Sequence, residues 1–149
     1  MIKISKSILA ELESILTIDQ LCFEQSVGDV EIKYHILHKD CLCISAYYNG
    51  FHSAYCTVKF SKYKTIAFIG RLAVVPAHHN KGIGKALLQY VEEEVSKVGV
   101  RSIRLQVKQS NNNAIDFYKR NNYNILSELP DFYGKNLHAY NMEKLLNAD

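Results

Sequence analysis

The chain has 149 residues, 48% of them hydrophobic and 22% charged, with a formal net charge of +3. That length suits one domain spanning residues 1–149 with a sizeable core, and lysines scattered from Lys3 to Lys144 form no basic stripe of the kind that binds nucleic acid. No apolar run approaches the roughly 20 residues that span a bilayer and no signal-peptide pattern opens the chain, so a cytoplasmic protein without membrane association is expected.

Taken in order, residues 2–4 read as a first strand and residues 8–23 as a helix with Leu9, Leu12, Ile15 and Leu16 on its apolar side. A turn at Gly28-Asp29 leads into a second short helix over residues 30–38. The period then changes to alternation. Residues 41–48, 51–60 and 65–75 read as strands, the first two joined by Asn49-Gly50, a strong hairpin signal. From Gly82 a helix carries Leu87, Leu88, Val91, Val95 and Val98 at spacings of three and four, turns Glu92 to Glu94 mostly outward, and stops at Gly99.

Residues 102–108 alternate again, with Ile103, Leu105 and Val107 on one face and Arg104, Gln106 and Lys108 on the other. A polar face on a central strand predicts that something other than packed hydrocarbon lies against it. Residues 112–121 form the last helix, entered through Asn111, and residues 123–126 and 139–145 read as closing strands. Cys22, Cys41, Cys43 and Cys56 match no zinc-ligand spacing and read as reduced thiols. His78 and His79 are neighbours whose side chains point apart, with no further ligand at metal spacing, so no metal is expected.

The most informative stretch is Leu72 to Leu88, LAVVPAHHNKGIGKALL: a buried strand, a turn at Pro76, and Gly82-Ile83-Gly84 opening a helix. Small residues at Gly82, Gly84 and Ala86 leave the first-turn N–H groups bare, and these, with the helix dipole, suit an anion such as phosphate. A dinucleotide fingerprint would need glycine where Leu87 stands. A P-loop would need glycine at His79 and Ser or Thr at Ala86.

What remains resembles the acetyl-CoA signature of the GCN5-related N-acetyltransferases, Gln/Arg-x-x-Gly-x-Gly/Ala, written here as His79-Asn80-Lys81-Gly82-Ile83-Gly84. His79 replaces the usual first residue and Asn80 a common arginine. A second block, QVKQSNNNAIDFYKRNNY from Gln106 to Tyr123, resembles the same family's later motif, with Asn111, Ala114, Ile115, Phe117 and Tyr118 in register. Asn122 stands where that motif has glycine, and Asn is the other residue that enters the left-handed conformation closing a helix. Phe132-Tyr133 and Ala139-Tyr140-Asn141-Met142 resemble the branch that acetylates ribosomal-protein N-termini.

The resemblance implies an α/β (α+β) fold: a mixed, mostly antiparallel central sheet of about seven strands with helices on both faces. It implies acetyl-CoA as acetyl donor, no metal, and pantetheine lying between two splayed strands. Leu72, Ala73 and Val74 would then meet the pantetheine. His79, Asn80, Lys81, Gly82, Ile83, Gly84, Lys85 and Ala86 would surround the pyrophosphate, with Asn111, Ala114, Phe117, Tyr118 and Arg120 contributing from the later motif. Tyr118 matches the tyrosine beside the thioester sulfur and is read as general acid.

Gln106 stands where the N-terminal branch usually carries glutamate, and Phe68 where another member supplies a tyrosine. Gln106 takes no proton at neutral pH but can orient a water that does, and Glu24 and His52 are alternative bases. Glu24 and Tyr133 are expected at the acceptor. Deprotonating a lysine amine near neutral pH costs about 4 kcal/mol, against under about 1 kcal/mol for an α-amine, so a weak base favours a peptide N-terminus. The loop Gly134-Lys135-Asn136-Leu137-His138 is not acidic and would not draw in a basic peptide. A small amine such as an amino acid, polyamine or antibiotic stays open as acceptor, as does a non-catalytic acetyl-CoA sensor. Monomer and homodimer are both compatible, the last strand being a candidate for pairing with a second copy.

Overall fold

The alternating segments pair into one sheet, in a computed structural model that describes residues 1–146. Its strands are β1 (Ile2–Lys6), β2 (Cys41–Tyr48), β3 (Phe51–Phe60), β4 (Ile66–Val74), β5 (Ser102–Lys108), β6 (Asn124–Leu129) and β7 (Ala139–Leu145), in the order β1-β2-β3-β4-β5-β7-β6. Every neighbouring pair is antiparallel except β4 with β5. A parallel pair needs a long crossover, and α3 (Ile83–Lys97) supplies it. The expected hairpin between β2 and β3 turns at Asn49 and Gly50, whose φ angles of 49° and 87° are the pair of positive values that match strand twist.

Helices cover both faces, as the resemblance implied. On one, α3 buries Leu87, Leu88, Val91 and Val95 against Ile44, Ala54, Cys56 and Val58, and α4 (Asn112–Arg120) adds Ile115 and Tyr118. Each fully buried Leu or Val contributes about 1.5–3 kcal/mol. On the other, α1 (Leu12–Cys22) and α2 (Asp29–Leu37) bury Ile15, Ile18 and Ile32 against Cys43, Tyr55 and Ala73. The strand period of two sends Cys56 to the first core and its neighbour Tyr55 to the second.

Several boundaries differ from the sequence reading, each for a local reason. The first helix begins as a tighter 3-10 turn over Leu9–Glu11, and the change of pitch leaves Leu9 47% exposed while Ile18 turns inward. Val98 lies past the last regular turn of α3 and is 52% exposed; the chain reverses at Gly99 and buries Val100 instead. Glu92, expected outward, accepts hydrogen bonds from the Tyr123 hydroxyl at 2.8 Å and the Lys144 ammonium at 2.9 Å. Tyr123 belongs to the core rather than to β6, which starts one residue later and runs to Leu129. The last strand, β7, is interior between β5 and β6, so it has no free edge to offer a second copy; the mostly exposed β6 is the edge.

The sheet is interrupted where β4 meets β5. Only Ile66, Ala67 and Phe68 pair with Ser102, Ile103 and Arg104, and beyond them the strands part. A bulge begins the parting: Val58 of β3 pairs with Ile69 but Cys56 pairs with Leu72, so Gly70 and Arg71 together face Thr57. The Arg71 N–H donates to Thr57 Oγ1 at 3.0 Å. That close approach requires glycine at the neighbouring position, since a Cβ on Gly70 would lie 2.7 Å from the same oxygen.

α1 is fixed to this bulge by a buried carboxylate. Asp19 accepts from the Tyr55 hydroxyl, from the Val27 N–H at 2.9 Å and from Arg71 Nη1 at 2.8 Å. Burial alone would raise its pKa, but the hydrogen bonds and the guanidinium outweigh burial and hold it below the ordinary 3.8.

Two outcomes are expected. Gly70→Ala lowers stability by about 1–3 kcal/mol through overpacking, and Thr57→Ala in the same chain restores part of the loss. Thermal melts of the single and double variants check this, and strictly additive losses would remove the contact as the cause. A depressed carboxyl contributes stability that is fully present above its unfolded value of 3.8 and is lost as the pH falls through the lower folded value. Asp19→Asn therefore lowers stability at neutral pH and flattens its decline in acid, measured by denaturant unfolding across that range.

Candidate functional site

Strand alternation decides which backbone groups face the parting of β4 and β5. Arg71 N–H and Val75 N–H both point to β3, the latter donating to Ser53 O at 2.9 Å, so Leu72 and Val74 direct their amide groups the other way. β5 is too far apart there to pair with them and is itself fully laddered to β7. The Val74 carbonyl accepts from His79 Nε2 at 2.7 Å and from Cys22 Sγ at 3.3 Å. The gap is thus lined by main-chain polar groups suited to an extended amide-bearing chain.

At the end of β4 the chain turns through Pro76–His78 into α3. His78 Nδ1 bonds Ser53 Oγ at 2.7 Å and His79 bonds Val74, so the two imidazoles have different partners. Gly82 caps α3 with a left-handed φ of 79°, and the Ala86 N–H donates to its carbonyl. The preceding first-turn N–H groups, of Ile83, Gly84 and Lys85, have no partner within the helix, and the exposed Lys81 and Lys85 flank them. Gly84 has a separate reason to be small: its missing Cβ would sit 3.3 Å from the Phe117 ring and 3.7 Å from Val74 Cγ2. Phe117 of α4 is thereby brought against the start of α3. Asn111 caps α4, accepting from the Ala114 N–H at 3.2 Å, and Asn122 closes it at φ 70°, as expected of both.

Tyr118 lies in the first core with 9% of its surface exposed, edge-on to Phe117 and Tyr123. Burial, with the Cys56 thiol and the Tyr133 phenol adding, pushes its pKa well above the usual 10, so the phenol is a proton donor throughout the neutral range. Cys56 is the register partner of Leu72, and Tyr133 holds the Lys108 ammonium 5.5 Å from its ring centre. Those neighbours locate Tyr118 beneath the parted strands.

Gln106 occupies the opposite face of β5, in a polar row. Arg104 Nε donates to Glu143 at 2.8 Å, Gln106 Nε2 to Asn141 Oδ1 at 3.3 Å, and Lys108 follows. α1 and α2 lie over β2, β3 and β4, leaving this row beside an open cleft of about 640 Å3 lined by Phe68, Ile69, Gly70, Gln106, Lys59 and the 27–35 segment. The expectation that Gln106 faces something other than packed hydrocarbon agrees with this placement. A smaller cavity of about 290 Å3 continues beneath the α1–α2 loop, walled by Gln25, Ser26, Tyr55, Thr57 and Arg71 and sharing Val27, Glu31, His35 and Gly70 with the cleft.

The structure brings together Leu72, Val74, Gly84, Phe117 and Tyr118 on the β4 side of the gap, with Gln106 on β5; Tyr133 stands in the β6–β7 loop against Lys108 and lines neither cavity. Ala73 instead turns its side chain into the α1–α2 core. Asn80, Lys81, Lys85 and Arg120 are exposed around the two helix ends. Glu24 is exposed in the α1–α2 loop and lines neither cavity. His52 stacks on Tyr47 and bonds Ser14 at 2.6 Å on the α1 side, where burial lowers its pKa, and it too lines neither cavity. The sequence reading missed Val27, Glu31, His35 and Arg71. Glu31 and His35 are four apart on one helix, a spacing that does announce a shared face.

Comparison with known proteins agrees with this geometry. An Escherichia coli K12 protein named [ribosomal protein bS18]-alanine N-acetyltransferase is 33% identical over 67 residues, 45% of this chain and 45% of that protein. The match therefore spans under half of that relative. The crystal structure of the ribosomal-protein-S18-alanine N-acetyltransferase from E. coli superposes with a TM-score of 0.88 at 22% identity, covering 99% of this chain and 95% of that one. Arabidopsis thaliana NAA60 in complex with a bisubstrate analogue gives 0.86 at 22% identity over both full chains. These two establish the shared fold. The profile of the acetyltransferase (GNAT) family matches residues 11–123, across the gap, the α3 entrance and α4, and the chain belongs to that family.

Proposed function

We propose that the protein transfers an acetyl group from acetyl-CoA to a primary amine by direct attack, and that the amine is the α-amine of a protein or peptide N-terminus. The observation that carries this reading is the parting of β4 and β5, with outward-facing N–H groups at Leu72 and Val74, a protonated Tyr118 beneath it and, on the Gln106 side, a cleft lined by apolar side chains together with Asp29, Glu31 and Lys59. The open amides suit the pantetheine arm and the uncapped first turn of α3 suits its pyrophosphate. Acetyl-CoA supplies an acyl group already activated as a thioester.

The chain's own groups supply the rest. Main-chain N–H groups of β4 in the gap donate to the carbonyl oxygen as it gains negative charge. The Tyr118 hydroxyl gives its proton to the departing sulfur, which burial suits it to do by keeping it protonated until the thiolate forms. Gln106, held by Asn141, orients water to receive the amine proton. Because an amide takes no proton, the acceptor must be an amine already partly neutral near pH 7, and an α-amine meets that condition where a lysine does not. The name of the E. coli relative supports the same class of acceptor. The four free cysteines fit a reducing cytoplasm, where we place the protein.

Two measurements test this. Titration calorimetry with acetyl-CoA, followed by thiol release on adding peptides, should show binding and turnover. Peptides with a free α-amine should react at least about 100-fold faster near pH 7 than Nα-blocked lysine peptides; equal rates would sink the N-terminal reading. Tyr118→Phe should lower kcat by about 100-fold or more while acetyl-CoA affinity stays within about twofold. Near-normal turnover in the folded variant would remove Tyr118 as the acid.

A further inference from the structure

The α1–α2 loop is built from the far side of the sheet. Arg71 leaves the β4 bulge, where its own N–H is held by Thr57, and its guanidinium makes three contacts with α1 and the loop. Nη1 donates to Asp19 Oδ1 at 2.8 Å and to the Gln25 carbonyl at 3.0 Å, and the guanidinium lies 4.4 Å from the Phe23 ring centre. Asp19, wholly buried, returns to the same loop by accepting from the Val27 N–H, and is held from β3 by Tyr55. One ion pair thus fixes Phe23, Gln25 and Val27. Gln25, Val27 and Arg71 wall the smaller cavity, and Val27 also lines the adjoining cleft that holds Gln106.

We propose that Asp19 and Arg71 are positioning residues for the amine acceptor: they latch residues 23–27 over the cleft and so set acceptor affinity without touching the donor. This rests on the acetyltransferase reading above. A charge pair with one partner fully buried and the other half-buried is a geometrically demanding way to join a helix to a strand. Its hydrogen bonds go to the loop main chain, so the loop's backbone path depends on them. A lysine in place of Arg71 would keep the charge but could not serve the carboxylate, the carbonyl and the aromatic face together.

The test uses the full chain and an uncharged alanine-initiated hexapeptide as acceptor. Arg71→Lys and Asp19→Asn are the mild variants; Asp19→Asn/Arg71→Met removes both charges together and leaves no lone buried ion. The readouts are peptide KM and kcat, acetyl-CoA affinity by calorimetry, and hydrogen exchange over residues 23–27. The expected result is a peptide KM raised about tenfold or more, kcat at saturating peptide and acetyl-CoA affinity each within about threefold, and exchange at Val27 accelerated at least tenfold. Unchanged KM in a variant whose loop exchanges faster would overturn the proposal, as would an unchanged loop, or a donor affinity lost in step with KM. If wild-type protein turns over neither this peptide nor a small-amine panel, the acetyltransferase reading fails and the proposal falls with it. Turnover by wild type with unaltered KM in the variants sinks the latch alone.

Discussion

Everything at the candidate site depends on the loss of hydrogen bonding between two central strands. Main-chain amides in the middle of a sheet are normally paired, and leaving one dry and unpaired costs about 1–3 kcal/mol. β4 and β5 abandon their ladder after Phe68 and Arg104 while both continue for several residues. The opening is held by the chain and its hydrogen bonds on either side: the extra residue at Gly70-Arg71, the Thr57 hydroxyl that accepts from the Arg71 amide, and the unbroken ladder that commits β5 to β7. The Val74 carbonyl is taken by His79 and Cys22, and the outward N–H groups of Leu72 and Val74 are left for water or for a ligand that carries amide carbonyls.

The opening divides the molecule into two working sides. α3 and α4 lie on one, bringing the N-terminus of α3, Phe117 and Tyr118 to the gap. α1, α2 and the loop joining them lie on the other, with Phe68, Gly70 and Gln106. Under the proposed reaction, donor and acceptor approach through different walls and meet where the sheet is parted. Helix N–H groups and lysines lie on the α3 side, and the cleft on the other carries the carboxylates of Asp29 and Glu31 together with the Lys59 ammonium.

Most elements were legible because each carries a local signature: alternation in β2 through β5, the three-four spacing of α3, and Asn-Gly at the hairpin. The misplacements are equally local in cause. Leu9 belongs to a 3-10 turn whose pitch no apolar spacing announces, and Val98 satisfies the helical period at a position where the helix has ended. The α3–α4 side of the gap was legible for the same reason, since its groups lie within two contiguous motifs. The α1–α2 side was not. Arg71 meets Asp19 across 52 residues and Gln25 across 46, and Gln106 comes to the same cleft as Phe68 only through sheet order, which follows from tertiary pairing. Glu24 and His52 show the converse: side chains of the right chemistry in nearby segments, turned by the fold away from the cleft.

The Gly82-Ile83-Gly84 turn shows why a motif can be recognised correctly and still be misread in detail. Both glycines read from sequence as clearance for a phosphate. Gly82 needs its small size because of backbone conformation: a Cβ there would meet nothing, yet φ of 79° is one that L side chains rarely adopt. Gly84 has ordinary helical backbone and needs its small size because Phe117 packs on it. The second requirement links the phosphate turn to α4, and through α4 to Tyr118 one residue on. A substitution at Gly84 would therefore reach the proposed acid before it reached any phosphate, and the spacing between the two sequence motifs is a packing constraint as much as a record of ligand contact.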